Sequence, residues 1–465
     1  MTVVIKKRRA MRTRMGRVSV YEHHGAFWIY YTEARKKRRV RIGPDRDEAL
    51  RVAGEINAQL LGQRRTVFSF EPVTVDQLAD RWLDHHEHVA RSSLATVRRY
   101  KTATDHVRQF ARNGSSCQLA HELPVEGFVR HLREKPVSPN GHVNTPKRKL
   151  TDKGLQFVLS TCRSMYAYAA RQRLLPPYSE NPFREIGIEA LRIEDAKPIH
   201  AFSPPEIIRF LTACDMWQFP VFATLALTGL RSGELTHVLI EDVDFDQGIL
   251  NIRSRAQLGW QVKTRRNRSI PLHDSLARIL RIVIGNRLGG VLFLRRRFHS
   301  GVTPLLGGLS AVCLATELGR RHEQARRCSD NTICRRTAQS LAAQLWRDAG
   351  VIRSSRLRLE FMRIARRIGI GHISCPKTFR HTFATLMQDA NVDPLIRQQL
   401  MGHAHSNGRS AGGLGMTGVY THTRAETSRR QLIAALDLIP NLADFIERRI
   451  TELQIDAAIR IEGGF

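Results

Sequence analysis

Two hydrophobic periods alternate along this chain, and the fold changes character where one gives way to the other. Near the start, apolar and polar residues alternate strictly. Val18–Tyr21, Ala26–Thr32 and Arg38–Ile42 read as three strands, and Gly43-Pro44 as a turn. Asp45 or Asp47 is placed to cap a helix that runs through Leu60. Residues 63–72 read as a linker. Beyond it the spacing lengthens to the helical one. TVDQLADRWLDHH puts Leu78, Trp82 and His85 on one face, and the next segment continues with Leu94, Val97, Tyr100 and Val107. The run from Thr151 to Gln172 is a further helix, ending before Pro176-Pro177.

A charged connector over residues 186–202 leads to Ser203-Pro204-Pro205-Glu206, which has the form of a capping box. Phe219–Thr228 is apolar nearly all round and predicts a buried helix. Val243–Ile252 and Gln261–Leu272 predict a short antiparallel sheet, with Lys263, Arg265, Arg266 and Arg268 at its turn. Residues 287–374 are the least patterned stretch, and the helices expected from Thr337 to Arg367 carry much positive charge. Pro376 then opens a helix in which Phe379, Phe383 and Leu386 recur as a core face, while Lys377 and Arg380 share another. Asp393-Pro394 starts the next helix and Gly402 stops it. On the final helix Leu442, Phe445, Ile446, Ile450 and Leu453 make an apolar stripe. The expected fold is multidomain and mainly α with small antiparallel β-sheets. A basic arm and a three-stranded module with its helix occupy 1–62, and a helical domain 73–185. An α+β domain spans 203–440 and a C-terminal helix 441–465.

Charge narrows the partner. At 465 residues the chain holds 74 Lys and Arg against 43 Asp and Glu, a net charge of +31. Such an excess points to a polyanion, and nucleic acid is the first choice. Arginine outnumbers lysine 62 to 12. No apolar run is long enough for a membrane span, and the first fifteen residues are basic without an apolar core, so a cytoplasmic protein is expected. The seven scattered cysteines fit a reducing compartment. His322, Cys328 and Cys334, with His372 or Cys375, match no standard finger spacing, so no metal site is expected.

Six residues remain that together suggest chemistry. They are Arg231 in TGLRSGEL, Lys263 in QVKTRRNRSIPL, Lys377 and Arg380 in PKTFRHTF, His403 in LMGH and Tyr420 in VYTH. Cations, an imidazole and one phenol suit attack on a phosphodiester, whose non-bridging oxygens gain charge as a nucleophile adds. A planar guanidinium binds two such oxygens and stays charged. Tyr420 is the only tyrosine after Tyr178.

In this order and with these flanking strings, the chain resembles the tyrosine recombinases, the phage-integrase family. The resemblance implies a DNA strand-exchange enzyme that needs no cofactor. Tyr420 would be the nucleophile, Arg231 and Arg380 the phosphate clamp, Lys263 the general acid, and His403 a further member. The link to Tyr420 would conserve the energy of the broken bond, so neither ATP nor metal would be consumed. It also implies a core-binding helical domain over 73–185. The first sheet is similar to the arm-binding modules of some integrases. The partners implied are double-stranded attachment sites, four protomers on two synapsed duplexes passing through a Holliday junction, and room for an accessory DNA-bending or directionality factor. No membrane is involved, and the protein would sit with the nucleoid. Candidate DNA contacts are Arg35, Lys36, Lys37, Arg38, Arg98, Arg99, Lys147, Arg148, Lys149, Arg265 and Arg266.

Two departures stand out. The family usually has His where Lys377 stands; a lysine, with an ordinary pKa of about 10.4, suits a phosphate-holding cation better than a base. His403 and Tyr420 are 17 positions apart, longer than usual, across SNGRSAGGLGMTG with its five glycines. Two other readings stay open: a type IB topoisomerase-like relaxase, and a non-catalytic DNA-binding regulator of the same fold.

Overall fold

The computed structural model describes residues 12–64, 66–114, 118–139, 141–142, 144–177, 180–184, 186–194, 198–299, 301–328, 332–403 and 424–462. The basic residues Lys6 to Arg9, the Gly-rich run after His403 and Tyr420 lie outside them. The chain divides into two compact units, Met1–Lys197 and Pro198–Phe465.

The first unit opens with β1 (Arg12–Met15), β2 (Val18–His23), β3 (Ala26–Glu33) and β4 (Lys36–Gly43). They form one antiparallel meander in the order β1-β2-β3-β4. The three expected strands are present, and a fourth is added at the edge. Arg12–Met15, expected in a basic arm, pairs with Val18–Tyr21 across a turn at Gly16. Strict alternation of Arg12, Thr13, Arg14 and Met15 was the signal, masked by the basic residues around it. Helix α1 (Arg46–Leu61) is capped by the Asp45 carboxylate, which accepts from the amides of Asp47 and Glu48. It covers one face of the sheet, and Val18, Val20, Ile29, Tyr31, Ala53 and Ile56 make the core between them.

Next come α2 (Val75–Asp84), α3 (Leu94–Gly114), α4 (Val125–Glu134), the two-stranded ribbon β5 (Pro136–Val137) with β6 (Arg148–Lys149), and α5 (Asp152–Arg171). Thr74 and Gln77 form a reciprocal capping box at the start of α2. Leu78, Trp82, Val107, Phe128, Tyr166 and Phe183 are fully or almost fully buried in a second core of this unit.

The second unit is built around α7 (Gln218–Thr228), which is buried on every side, as its unbroken apolar sequence demands. Helix α6 (Pro204–Thr212) precedes it, with Ser203 and Glu206 holding each other at its start. The short helix α8 (Ser232–Thr236) follows. A three-stranded sheet comes next, β7 (Val243–Asp244), β8 (Ile249–Ile252) and β9 (Arg268–Pro271). This sheet is shorter than expected. Arg255 bonds back to Trp260, closing a tight turn over residues 256–258, so the last strand begins at Arg268 and not at Gln261. Helices α9 (Asp274–Ile284), α10 (Ala311–Arg327), α11 (Arg335–Asp348), α12 (Ser354–Arg367), α13 (Lys377–Asp389), α14 (Pro394–Met401), α15 (Ala425–Leu436) and α16 (Leu442–Glu462) complete it.

The C-terminal helix, expected either to pack on its own domain or to dock on a neighbouring protomer, lays Leu442, Phe445, Ile446, Ile450 and Leu453 into the main core of its own unit. Ile455 and Ile459, farther along, stay exposed. Among the described residues no helix is long and apolar enough to cross a membrane.

Candidate active site

Two helices of the second unit aim their C-terminal ends at the same place. Helix α7 ends at Gly229, whose left-handed backbone (φ 60°) turns the chain toward Arg231. A Cβ at Gly229 would lie 2.5 Å from the Phe383 ring, so only glycine fits. Helix α14 ends at Gly402, also left-handed at φ 59°. Each end presents carbonyls without helical partners and the negative end of a dipole. Guanidinium groups gather there.

Three consecutive carbonyls at the end of α14 each accept from a different arginine. Arg268 Nε donates to Leu400 O at 3.0 Å, Arg380 Nη2 to Met401 O, and Arg231 Nη2 reaches Gly402 O at 3.4 Å. Arg380 Nη1 also donates to Gly229 O at 2.8 Å, so this one side chain ties the ends of α7 and α14 together. Local sequence explains its aim. Phe379, Phe383 and Leu386 bury one face of α13, which turns Arg380 inward toward the two helix ends.

Glu234 completes the cage from beneath. Its carboxylate is only 3% exposed and accepts from Arg268 Nη2 at 2.7 Å, Arg231 Nη1 at 2.7 Å and the Arg231 amide at 3.0 Å. Burial alone would favour the neutral acid; the bonds and charge of Arg268 and Arg231 outweigh it and hold the carboxyl below its usual range. Burial, then the charge of Arg231, pushes Arg380 down to about 10, with Glu234 opposing and Arg268 adding to the effect. It remains a cation at neutral pH. His403 follows Gly402 directly and keeps a solvent-open face. Partial desolvation and the charges of Arg380, Arg231 and Arg268 hold its imidazole below the ordinary histidine range.

The structure thus brings together Arg231, Arg380 and His403. Lys377 is exposed at the first position of α13, one turn before the half-buried His381. Burial, then the charges of Lys377 and Arg380, lowers the His381 imidazole. Lys263 is exposed in the turn between β8 and β9, beside exposed Arg265 and Arg266. Tyr420 lies outside the described residues. In the first unit Arg98, Arg99, Lys147, Arg148 and Lys149 are exposed, with the Arg99 guanidinium 4.3 Å from the Phe157 ring. Arg35, Lys36 and Lys37 are exposed at and after the tip joining β3 to β4. Arg38 pairs with Tyr31 and shares its helix-covered face.

Arg268 is the residue that reading the sequence missed as a member of this group. It had been grouped with the solvent-facing turn. Its signal was the alternation Arg268-Ser269-Ile270: Ile270 is buried, and Arg268 points to the same side. On the sheet, Arg12, expected in the basic arm, and Arg39 lie beside aromatic rings. The Arg39 guanidinium lies 4.5 Å from the Trp28 ring and 5.4 Å from Tyr21, and Arg12 lies 5.8 Å from Tyr30. This face is the one that α1 leaves open.

Known proteins resemble this chain in sequence and in fold. Residues 201–427 match the family model described as Phage integrase family. The tyrosine recombinase XerC of Thermodesulfovibrio yellowstonii is 22% identical over 347 residues, covering 73% of this chain and 90% of that protein. A putative integrase/recombinase, y4rB, of Sinorhizobium fredii is 30% identical over 136 residues, 26% of this chain and 38% of that protein. Among solved structures, a lambda integrase dimer bound to a COC' core site overlaps with a TM-score of 0.46 at 15% identity, covering 85% of this chain and 97% of that one.

Proposed function

Because the chain belongs to the phage integrase family, enzymes that cleave and rejoin DNA, we propose that it is a site-specific recombinase using Tyr420 as its nucleophile. The observation that carries this is the cage of Arg231, Arg268 and Arg380 around the end of α14, with His403 issuing from it. It holds preorganised cations where a phosphate gains charge, and holding them beforehand removes reorganisation from the barrier.

The Tyr420 oxygen attacks phosphorus as its proton leaves. The bond from phosphorus to the 5′-oxygen breaks, and Lys263 gives that oxygen a proton. The product is a 3′-phosphotyrosine and a free 5′-hydroxyl. Attack by a 5′-hydroxyl from the other duplex reverses each step and joins new strands. Arg231 and Arg380 hold the non-bridging oxygens, and Lys377 adds a cation at the entrance. Four protomers on two duplexes make two pairs of cuts through a Holliday junction, in the nucleoid, to integrate or excise a mobile element. The open face of the first sheet reads arm DNA through Arg12, Lys37, Arg39 and Arg41, with Tyr21, Trp28 and Tyr30 as their platform. What supports a separate arm module is a sheet with its own core outside the matched segment.

A nicked duplex that loses a short fragment on cleavage tests the reading. The parent is expected to form a DNA-linked species stable to denaturant, and Tyr420→Phe none. A parent that binds DNA but forms no adduct at any pH is instead a DNA-binding regulator. Adducts without pairing of two sites on one DNA would make it a relaxase.

A further inference from the structure

The extended segment after α9, residues 291–298, ends in three consecutive arginines and a phenylalanine that the cage does not use. Its backbone is fixed on both sides. The Leu292 amide donates to Val238 O, just past α8, at 3.0 Å, and the Arg295 amide to Gly350 O at 3.0 Å. Leu294 pairs with Val351 across the second join, and its carbonyl accepts from the Trp217 indole at 2.8 Å. Gly350 is left-handed (φ 95°), and a Cβ there would lie 2.8 Å from Leu294 Cδ2, so this join is tight. The segment is thereby tied to α8, the helix that begins beside Arg231.

The arginines here divide into those the fold uses and those it does not. Arg296 is neutralised: it donates to Asp215 at 2.6 Å, lies 3.6 Å from the buried Glu360 carboxylate and covers the Trp217 ring at 4.8 Å. Arg295 donates to Arg347 O at the end of α11, and Arg347 pairs with Asp348 and is favoured by that helix's dipole. Arg297 and Arg353 are exposed and form no ion pair among the described residues. Arg297 lies 4.5 Å from the Phe298 ring, which Arg295 approaches at 5.1 Å. Arg353 sits at the start of α12, where the dipole disfavours a cation. These charges are close enough to feel one another. Burial, then the charges of Arg297, Arg353 and Arg347, push Arg295 below its ordinary range, and Asp348, which opposes them, is already shared by Arg321 and Arg347. Gathering like charges in this way costs the free fold energy, and an anion among them relieves that cost.

We infer that Arg297 and Arg353, backed by Arg295, hold DNA backbone phosphates other than the one at the cage. This rests on the recombinase reading. Guanidinium forks bind phosphate oxygens in pairs and read no bases, so the contact adds affinity and register without sequence preference. The join to α8 sets patch and cage at a fixed separation. Two fixed cationic points suit a stiff rod with regularly spaced phosphates. A flexible acidic segment of another protein gains nothing from that spacing; it is the rival occupant, and the experiment separates the two.

The full chain and Arg297→Gln/Arg353→Gln are titrated with a core-site duplex over a potassium chloride series. Arg278→Gln/Arg320→Gln serves as the charge-matched control, because those exposed arginines already pair with Glu447 and Glu317. Each lost phosphate contact lowers the slope of log affinity against log salt by about 0.9, so the patch variant is expected to lose roughly 1 to 2. The control is expected to stay near the parent's slope. Ethylating individual phosphates of the duplex should weaken the parent at one or two positions where the patch variant is indifferent. An unchanged slope, an equal loss in the control, or identical ethylation patterns overturns the inference. So does a patch variant that keeps its DNA slope and loses binding to poly-glutamate, which assigns the patch to an acidic protein. Adduct formation by the parent is scored in parallel: an adduct with no slope change sinks only the patch, whereas no adduct sinks the reading beneath it.

Discussion

Arginines do opposite work in two regions of this molecule. Around the end of α14, Arg231, Arg268 and Arg380 are drawn in from sequence-distant segments and commit donors to fixed acceptors: four carbonyls and one buried carboxylate. On the N-terminal sheet, the guanidinium of Arg39 lies 4.5 Å from the Trp28 ring and that of Arg12 5.8 Å from the Tyr30 ring, Arg12 also donating to Ser19 Oγ. Stacking steers a guanidinium while leaving its in-plane donors available. The first arrangement holds each cation against several fixed acceptors, the preorganisation on which electrostatic catalysis depends. The second holds it by fewer. The excess of arginine in the composition does not distinguish them; their acceptors do.

Breaking the cage is expected to have the largest effect. Glu234→Gln leaves two arginines sharing a neutral partner, and breaking a buried pair in this way costs about 3–5 kcal/mol. Adduct formation should fall at least about a hundredfold, the scale of one lost electrostatic donor. Denaturant midpoints check the stability, single-turnover cleavage the rate. The pH dependence has a definite sign. The folded carboxyl lies below its ordinary range, so between the folded and unfolded values the unfolded chain binds more protons. Its contribution is complete above the ordinary carboxylate value, about 4.3, and is lost as pH falls through the folded one. The gap between parent and Glu234→Gln midpoints should therefore narrow from pH 6 to pH 3; a constant gap would mean the ion pairs are not its source.

Gly402→Ala sharpens the same comparison with a single methyl. The backbone stays left-handed at a cost of about 1–2 kcal/mol, and the new Cβ would lie 2.7 Å from Arg268 Nη1. Cleavage should drop about tenfold or more while binding of core DNA changes little. The smallest effect is expected on the sheet. Arg39→Gln should leave the melting temperature within roughly 2 °C. It should lower the salt slope on arm-type DNA by about 0.9, one phosphate contact. A large loss of stability there would mean that the sheet arginines are structural too.

Much of this was legible beforehand, and the remainder was hidden for physical reasons. Helical spacing gave the buried α7 and the inward face of α13. Arg268 escaped because its partner is 34 positions away, and its one local signal, the two-residue spacing to buried Ile270, is weak beside the exposed Arg265 and Arg266. Strand β1 escaped because its alternating residues are arginines paired by backbone bonds, which are blind to side-chain type.

All of this depends on one bond. The adduct formed on the nicked duplex is digested with trypsin, and the DNA-linked peptide is sequenced by mass spectrometry. The account requires the peptide SAGGLGMTGVYTHTR, residues 410–424, with a 3′-phosphoryl oligonucleotide on Tyr420. Attachment at any other residue, or a peptide from the first unit, would contradict it.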